Sequence, residues 1–260
     1  MPGHWLLARV GKRVLRPGGR ELTERMLAAL GIGANDRVVE FAPGLGVTAR
    51  MTLERRPASY TGVERDEAAA ASVRRLLSDP RDRCLVGTAM ATGLPDASAT
   101  AVYGEAMLTM HTAAQKAKII QEAFRVLEPG GSYGIHEMSL ESETLDDALK
   151  NEVTRELSAA IHVGVRPLSC PEWRAALEAE GFVVEAEHKA PMLLLETGRV
   201  LGDEGFGGTL RICWNLLRMP VALRRVLQMR SVFRRHQRHL GAITLVARKP
   251  SAPDPIGSGG

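Results

Sequence analysis

Short apolar runs alternate along the chain with longer stretches in which apolar residues recur at helical spacing. Arg37 to Phe41 is a β-branched run that predicts a buried strand, and apolar residues between Glu21 and Leu30 fall on one helix face. Further strands are predicted at 59–63, 83–86, 99–103, 132–138, 182–187 and 239–248. Further helices are predicted at 47–55, 66–77, 112–127, 144–161 and 171–180. This alternation indicates βαβ units, a parallel sheet and therefore an α/β protein.

Helix and loop signals refine this outline. Thr112 and Gln115 have the spacing of a capping box at the start of one helix. Residues 196–238 separate the sixth and seventh strands by far more than a hairpin needs. They predict a helical insert, with helices at 209–219 and 221–236 broken by Pro220. Residues 251–260 are rich in Pro, Gly and Ser and predict a disordered tail.

The composition is that of an ordinary globular protein, with 45% hydrophobic and 25% charged residues. Aromatic residues make up 4%, which argues against a stacking platform for single-stranded nucleic acid. Cys84, Cys170 and Cys213 are far apart, so they predict neither a disulfide framework nor a metal site and suit a reducing cytosol. The chain shows no signal-peptide pattern and no apolar run of about 18 residues, and we expect a cytoplasmic protein.

Charge is distributed unevenly, although the net charge is only +4. From Gly205 to Pro250 there is no Asp or Glu, while Arg and Lys number ten. Eight of these are arginines between Arg211 and Arg238, mixed with apolar residues. The pattern fits a lid over an apolar pocket, a peripheral membrane contact with anionic lipid, a surface for an acidic partner, or a solvated helix face. Nucleic-acid binding is disfavoured because no recognised motif is present.

The turn after the first predicted strand carries the strongest chemical signal. It runs Ala-Pro-Gly-Leu-Gly from Ala42 to Gly46, and such glycines let the backbone approach a ligand closely. The spacing also fits a dinucleotide fingerprint, and Glu64 would hold ribose hydroxyls in either case. Glu40 argues against a dinucleotide at this turn, because a carboxylate there would repel a pyrophosphate. The same carboxylate could accept a hydrogen bond from the ammonium group of a different ligand. A nicotinamide-dependent oxidoreductase would also need a catalytic Tyr/Lys pair, and none follows the fourth strand.

Four segments together resemble the motifs of class I S-adenosylmethionine-dependent methyltransferases, especially the small-molecule branch near the ubiquinone/menaquinone-biosynthesis enzymes. They are 39–46, 60–64, 94–107 and 125–131. The resemblance implies a Rossmann-like, doubly wound sheet of seven strands, mostly parallel with an antiparallel last strand. It also implies a single methyltransferase domain over residues 1–250, with N-terminal lid helices in residues 1–34. The implied cofactor is S-adenosylmethionine (SAM), with S-adenosylhomocysteine as product.

The resemblance also implies which residues bind the cofactor. Glu40 would organise the turn near the methionine part, Glu64 would hold the ribose hydroxyls, and residues 88–90 would border the adenine. Glu105 and Ala106 would lie beside the sulfonium. The complete set of expected cofactor-binding residues is Glu40, Ala42, Gly44, Gly46, Glu64, Arg65, Thr88, Ala89, Met90, Glu105, Ala106, Gly19 and Thr23.

Two positions depart from the family pattern. Ala42 stands where the family usually has its first glycine, so we expect the turn to avoid positive φ there. Thr88 stands where an Asp often precedes Ala89, and a hydroxyl would bond the adenine without charge. These departures support an alternative in which the chain is a non-catalytic cofactor-binding module of the same fold.

Methyl transfer from a sulfonium is an in-line displacement, so the protein supplies position and, for a carbon acid, phenol or amine, a base. Our catalytic candidates are His111, Glu105 and Glu137, and His136 is a fourth possible base. Because strand side chains alternate, only one of His136 and Glu137 is expected to face the site. We expect a small-molecule acceptor, lipophilic or anionic, and no metal.

Overall fold

The computed structural model of the chain describes residues 1–141 and 146–251. The predicted tail therefore lies outside the described residues, apart from Ser251. The start of the helix predicted at 144–161 also lies outside them. No helix among the described residues is long and apolar enough to cross a membrane.

A single twisted sheet forms the centre of the molecule. Its strands are β1 (Arg37–Phe41), β2 (Ser59–Glu64), β3 (Arg83–Val86), β4 (Ala99–Glu105), β5 (Leu127–Leu140), β6 (Leu168–Ser169), β7 (Val183–Pro191) and β8 (Leu240–Arg248). The order across the sheet is β3-β2-β1-β4-β5-β8-β7. β8 runs antiparallel to both β5 and β7, whereas the pairs from β3 through to β5 are parallel. The mostly parallel, doubly wound sheet with an antiparallel last strand is thus confirmed.

The sheet has one strand more than predicted. β6 contains only two residues and pairs in parallel with the end of β5, where Ser139 lies opposite Leu168. A two-residue strand has no alternation to detect, which is why the hydrophobic pattern does not show it.

Within the described residues, nine α-helices surround the sheet. They are α1 (Gly3–Arg9), α2 (Gly19–Ala29), α3 (Val47–Leu53), α4 (Glu67–Arg74), α5 (Ala113–Val126), α6 (Asp147–Ile161), α7 (Cys170–Glu178), α8 (Thr197–Arg218) and α9 (Pro220–Arg235). The capping box at the start of α5 is confirmed, with Thr112 accepting from the Gln115 backbone and the Gln115 side chain bonding back. α8 begins well before the predicted 209–219, and it has a kink at Gly205. Its first half carries many glycines, which hide the helical pattern.

Consecutive strand residues bury side chains on opposite faces of the sheet. Val39 and Phe41 pack with Tyr133 and Trp173 on one face, whereas Val38 packs with residues of α2 and α3 on the other. A third apolar cluster joins α1, α6 and α9 to the end of β5 through residues such as Met138 and Met229. The N-terminal helix and the insert therefore form a helical layer beside the carboxyl end of the sheet. Their role as a lid stays a prediction.

Candidate active site

A cavity of about 610 Å³ lies at the carboxyl ends of the parallel strands. The ends of β1, β2, β4 and β5 form one wall, and α1, residues 13–17, the end of α6 and α9 form the other. Ligands of doubly wound sheets bind at this edge, and the volume is in the range of small-molecule sites. The helical layer therefore turns an open sheet edge into a cavity.

The turn after β1 corrects one expectation. Ala42 has φ of +54°, so the prediction that the turn avoids positive φ there is wrong. The Ala42 N–H donates to the carbonyl of Val63 at 2.8 Å, and this bond ties the turn to β2. Gly44 and Gly46 are left-handed too, and a Cβ at Gly46 would lie 2.6 Å from Leu76. The turn therefore keeps its shape, although Ala42 is strained by roughly 1–2 kcal/mol.

Glu64 lies buried at the end of β2, beside the cavity. Its two oxygens accept from the backbone N–H groups of Gly44 (2.9 Å) and Asp66 (3.0 Å). Each oxygen keeps a second lone pair, so the carboxylate can still accept from two hydroxyls. The neighbouring cavity wall contains the other residues assigned to the ribose and adenine, which are Arg65, Thr88, Ala89 and Met90. Their contacts with the cofactor stay predictions.

Glu40 is the buried acid of β1. It accepts hydrogen bonds from the hydroxyls of Tyr60 (2.5 Å) and Tyr103 (2.8 Å). Burial raises the pKa of Glu40 to about 8 in spite of these bonds. Because the carboxyl lines the cavity, a cationic group placed beside it would favour the ionised form.

Glu105, at the end of β4, has partners on both of its oxygens. One oxygen accepts from Thr23 (2.6 Å) and contacts His136 Nδ1 (2.7 Å), while the other accepts from Thr48 and lies 3.4 Å from Arg16. Burial alone would raise the pKa of Glu105, but Arg16 and His136 more than offset this and hold it at about 2. A carboxylate with such a low pKa is a weak base, so the surroundings of Glu105 favour a positioning role, and its catalytic role stays a prediction.

His136 is unsuited to act as a base. Its ring is fully buried, with Nδ1 facing Glu105 and Nε2 lying 2.5 Å from the carbonyl oxygen of Pro17. Both nitrogens face oxygen acceptors, so the ring holds β5 against the N-terminal segment. Glu137, the next residue along β5, is the one that lines the cavity, as alternation along the strand requires.

Glu137 organises the loop after β4. One oxygen accepts from the N–H groups of Met107 (2.9 Å) and Leu108 (2.7 Å), and the other accepts from the N–H (3.0 Å) and hydroxyl (2.7 Å) of Thr109. Burial raises the pKa of Glu137, and these bonds lower it only in part. Four hydrogen bonds occupy its lone pairs, an arrangement that favours positioning of the loop, and its role as a base stays a prediction.

His111 follows the turn that Glu137 holds. Its Nδ1 lies 2.9 Å from the carbonyl of Met107. A carbonyl can only accept, so Nδ1 carries the proton and Nε2 keeps its lone pair. The half-buried ring lines the cavity. Of the three catalytic candidates, His111 alone therefore has an uncommitted basic atom.

Two residues expected at the cofactor lie outside the lining of the cavity. Thr23 is fully buried behind Glu105, and Gly19 packs against Asp203 of α8, where a Cβ would lie 2.6 Å from a carboxylate oxygen. Neither residue lines the cavity. α2 packs against β5, β7 and β8, whereas the preceding loop, with Arg13 and Arg16, lines the cavity. The assignment of Gly19 and Thr23 to the cofactor stays a prediction that this placement does not support.

Sequence reasoning missed most of the second wall of the cavity. It includes residues from three distant parts of the chain, namely His4, Trp5, Met192, Leu194, Met229 and Phe233. None of them belongs to a motif. Thr48 was also missed, although its place in the first turn of α3 could have indicated it.

The polar groups of the cavity fit SAM. Arg16 Nε is buried without a hydrogen-bond partner among the described residues, so its guanidinium can serve a carboxylate. Glu40 suits an ammonium group and Glu64 suits ribose hydroxyls. The left-handed backbone at Gly44 leaves room for close approach to the turn.

Comparisons with known proteins show similarity to methyltransferases. A family profile described as a methyltransferase domain matches residues 39–135. An uncharacterised protein of Haemophilus influenzae is 34% identical over 220 residues, which cover 83% of this chain and 86% of that protein. The 27-O-demethylrifamycin SV methyltransferase of Amycolatopsis mediterranei is 27% identical over 169 residues, covering 64% and 60%.

Among solved structures, the MccD protein superposes with a TM-score of 0.70 at 17% identity, over 90% of this chain and 99% of that one. This likeness shows the fold. The relation to the ubiquinone branch stays a prediction. The matching profile agrees with the strand order, with the turn at Ala42 and with the acids of β1 and β2. The chain therefore belongs to the class I SAM-dependent methyltransferases, and SAM is its cofactor.

Proposed function

We propose that the enzyme methylates an oxygen or an acidic carbon of a largely apolar small molecule, with His111 as the base. When bound, SAM supplies a methyl group activated on its sulfonium. The observation that carries the proposal is that His111 Nε2 has no hydrogen-bond partner among residues 1–141 and 146–251, while the ring lines a cavity with apolar walls.

The part of the cavity away from the β1 turn has mostly apolar walls. We call this part the acceptor chamber and define it by the cavity-lining residues Met110, Met138, Met192, Met229 and Phe233, which belong to the apolar cluster of α1, α6 and α9 or pack against it. Methionine side chains adapt to irregular ligands, and an apolar wall with few polar groups favours an apolar molecule oriented by one or two hydrogen bonds. A relative named as an O-demethylrifamycin methyltransferase supports an oxygen acceptor.

His111 would take the proton that the acceptor loses as its oxygen or carbon attacks the methyl carbon. Nε2 can accept because Met107 holds the proton on Nδ1. Glu137 supports this arrangement indirectly, since it fixes the backbone of residues 107–109. The base is thus held by a buried carboxyl that does not itself touch the acceptor.

The test measures transfer of labelled methyl from SAM to a panel of phenols, quinols and hydroxylated polycycles, beside charged amines and carboxylates. In His111→Gln we expect the turnover number on an apolar acceptor to fall about 10²–10⁴-fold, with SAM affinity unchanged. His188→Gln, on β7 and away from the cavity, should behave as wild type.

Two results would contradict the proposal. Methylation of charged acceptors alone would remove the assignment of an apolar substrate. Full activity of His111→Gln on a methylated apolar acceptor would remove the base and leave the substrate class standing.

A further inference from the structure

The outer face of α8 carries a stripe of exposed apolar side chains. Phe206, Leu210, Trp214 and Leu217 follow one another at i, i+4, i+8 and i+11, which places them on one side of the helix. Their exposed fractions are 77%, 63%, 58% and 73%. Val221, at the start of α9, is also exposed, at 74%. We call these five residues the α8 ridge.

The opposite side of α8 attaches the helix to the body of the protein. Ile212 is buried, and Asn215 Nδ2 donates to the carbonyl of Val10 at 3.1 Å. Ile212 belongs to the apolar cluster of α1, α6 and α9. Because the inner face is already used for packing, the ridge cannot turn inward to bury itself.

Basic side chains flank the ridge. Arg211, Arg218 and Arg224 are exposed, and Arg218 lies over the Trp214 ring at 5.2 Å from its centroid. Within residues 1–141 and 146–251 none of these three arginines pairs with a carboxylate, whereas Arg230 and Arg234 share Glu196. The chain has no acid from Gly205 to Pro250 that could pair with them. An exposed apolar stripe is therefore bordered by positive charge with no acid of the same segment to neutralise it.

We propose that the α8 ridge docks on the surface of an anionic lipid bilayer. Aromatic and aliphatic residues on one face of a helix, with arginines at its border, match the chemistry of an interface between acyl chains and negatively charged headgroups. A second copy fits less well, because a two-fold contact through the ridge would bring the unneutralised arginines of both copies together. Nucleic acid fits less well too, since a phosphate backbone offers nothing to Phe206 or Leu217.

Docking would place the acceptor chamber close to the bilayer. α9 contributes Met229 and Phe233 to the chamber, while its Arg224 and Leu227 are exposed near the ridge. The same helical hairpin thus joins the docking face to the site where an apolar acceptor would bind. This last step rests on the proposed function, but lipid binding itself requires no turnover.

The experiment is flotation of the full chain with vesicles of phosphatidylcholine alone or mixed with an equal amount of phosphatidylglycerol. We expect flotation only with the anionic vesicles, decreasing as salt is added. Leu210→Ser/Leu217→Ser and Arg218→Glu/Arg224→Glu should each weaken binding about tenfold or more. Emission of the wild type should shift to shorter wavelength on binding, and Trp214→Phe should lose that shift.

Matched controls carry the same changes elsewhere. Val86 on β3 and Val183 on β7 are exposed apolar residues outside the ridge. Arg75, at the C-terminal end of α4, and Lys118, on α5, are exposed basic residues. Val86→Ser/Val183→Ser and Arg75→Glu/Lys118→Glu should bind anionic vesicles like the wild type. Retained stabilisation by SAM verifies that every variant is folded.

Three results would overturn the proposal. The first is no flotation with anionic vesicles. The second is equal weakening by the ridge variants and their controls, which would indicate attraction by net charge alone. The third is a dimer that the Leu210→Ser/Leu217→Ser change converts to a monomer without affecting vesicle binding. Failure to methylate apolar acceptors would leave the vesicle result untouched, so the two proposals fail separately.

Discussion

Glu40 and Glu105 lie in one cavity, yet their surroundings drive them to opposite protonation states. Both are buried, which raises the pKa of a carboxyl. Glu40 accepts from two tyrosine hydroxyls and lies near the negative charge of Glu105, and its pKa is about 8. Arg16 and His136 hold the pKa of Glu105 at about 2. Nearby charge therefore decides which acid is ionised when burial is equal.

Glu40 should make the protein less stable as the pH rises from 4.5 to 8. Over this window native Glu40 keeps a proton that the unfolded chain has lost, so raising the pH favours unfolding. Glu40→Gln should remove roughly 4 kcal/mol of that change in the free energy of unfolding, measured by urea unfolding at several pH values. The free energy of unfolding of Glu40→Gln should still fall somewhat as the pH rises, because burial also raises the pKa of Glu137.

The control for this change is Glu24→Gln on the exposed face of α2, which should keep the wild-type slope. Glu105 does not affect this measurement, because its ionised form stabilises the native state throughout the window from pH 4.5 to 8. That stabilisation is lost only as the pH falls below 4.5 towards 2. An unchanged slope in Glu40→Gln would mean that Glu40 is ionised in the native protein at neutral pH.

At the scale of elements, the first half of α8 binds residues 12–20 and holds them beside the cavity. Glu204 accepts from the N–H groups of Arg13 (2.7 Å) and Val14 (2.9 Å), and Asp203 accepts from the N–H of Arg20 (3.1 Å). The buried Lys12 ammonium lies 3.6 Å from Glu204. These contacts hold the loop that presents Arg16 to Glu105. The insert thus acts on the cofactor site through backbone hydrogen bonds.

Glu204→Ala should lower the free energy of unfolding by about 3 kcal/mol. The substitution removes the carboxylate that pairs with the buried Lys12 and accepts from the N–H groups of Arg13 and Val14. We also expect weaker SAM binding, since Arg16 loses its support. Urea unfolding and calorimetric titration measure the two effects. Glu21→Ala, which removes only an exposed pair with Arg25, should change stability by less than about 1 kcal/mol. Unchanged SAM affinity in Glu204→Ala would limit the contact to a role in stability.

At the scale of the whole molecule, the cavity lies between the sheet edge and the helical layer, so the cofactor should contact both. A ligand that binds only the folded state stabilises it in proportion to the logarithm of its concentration. The same ligand should therefore strengthen the association of residues 1–20 with the strands.

SAM at 100 times its dissociation constant should raise the free energy of unfolding of the wild type by about 2.7 kcal/mol. Glu64→Ala should lose most of this gain, because the acid at the end of β2 is removed from the ribose position. Thermal unfolding with SAM or S-adenosylhomocysteine measures it. Glu67→Ala, exposed in the first turn of α4, is the matched control. A gain in Glu64→Ala equal to that of the wild type would remove the ribose assignment.

The sequence by itself determined the order of strands and helices, the turn at Ala42 to Gly46 and the family. These depend on local periodicity and on short motifs, which residues close in the chain specify. The positive φ at Ala42 was mispredicted because the cause is a bond to Val63 on the neighbouring strand, which outweighs the local preference of alanine. β6 and the first half of α8 were missed because they carry little periodic signal.

Only the tertiary structure decided which groups can react and which surfaces remain free. The bond from His111 to Met107, the ring of partners around Glu105 and the α8 ridge depend on which residues meet across the fold. Thr23 is 82 positions from Glu105 in the chain, and Pro17 is 119 from His136. Burial and through-space charge set pKa values and exposure, and a linear pattern contains neither until the chain has folded.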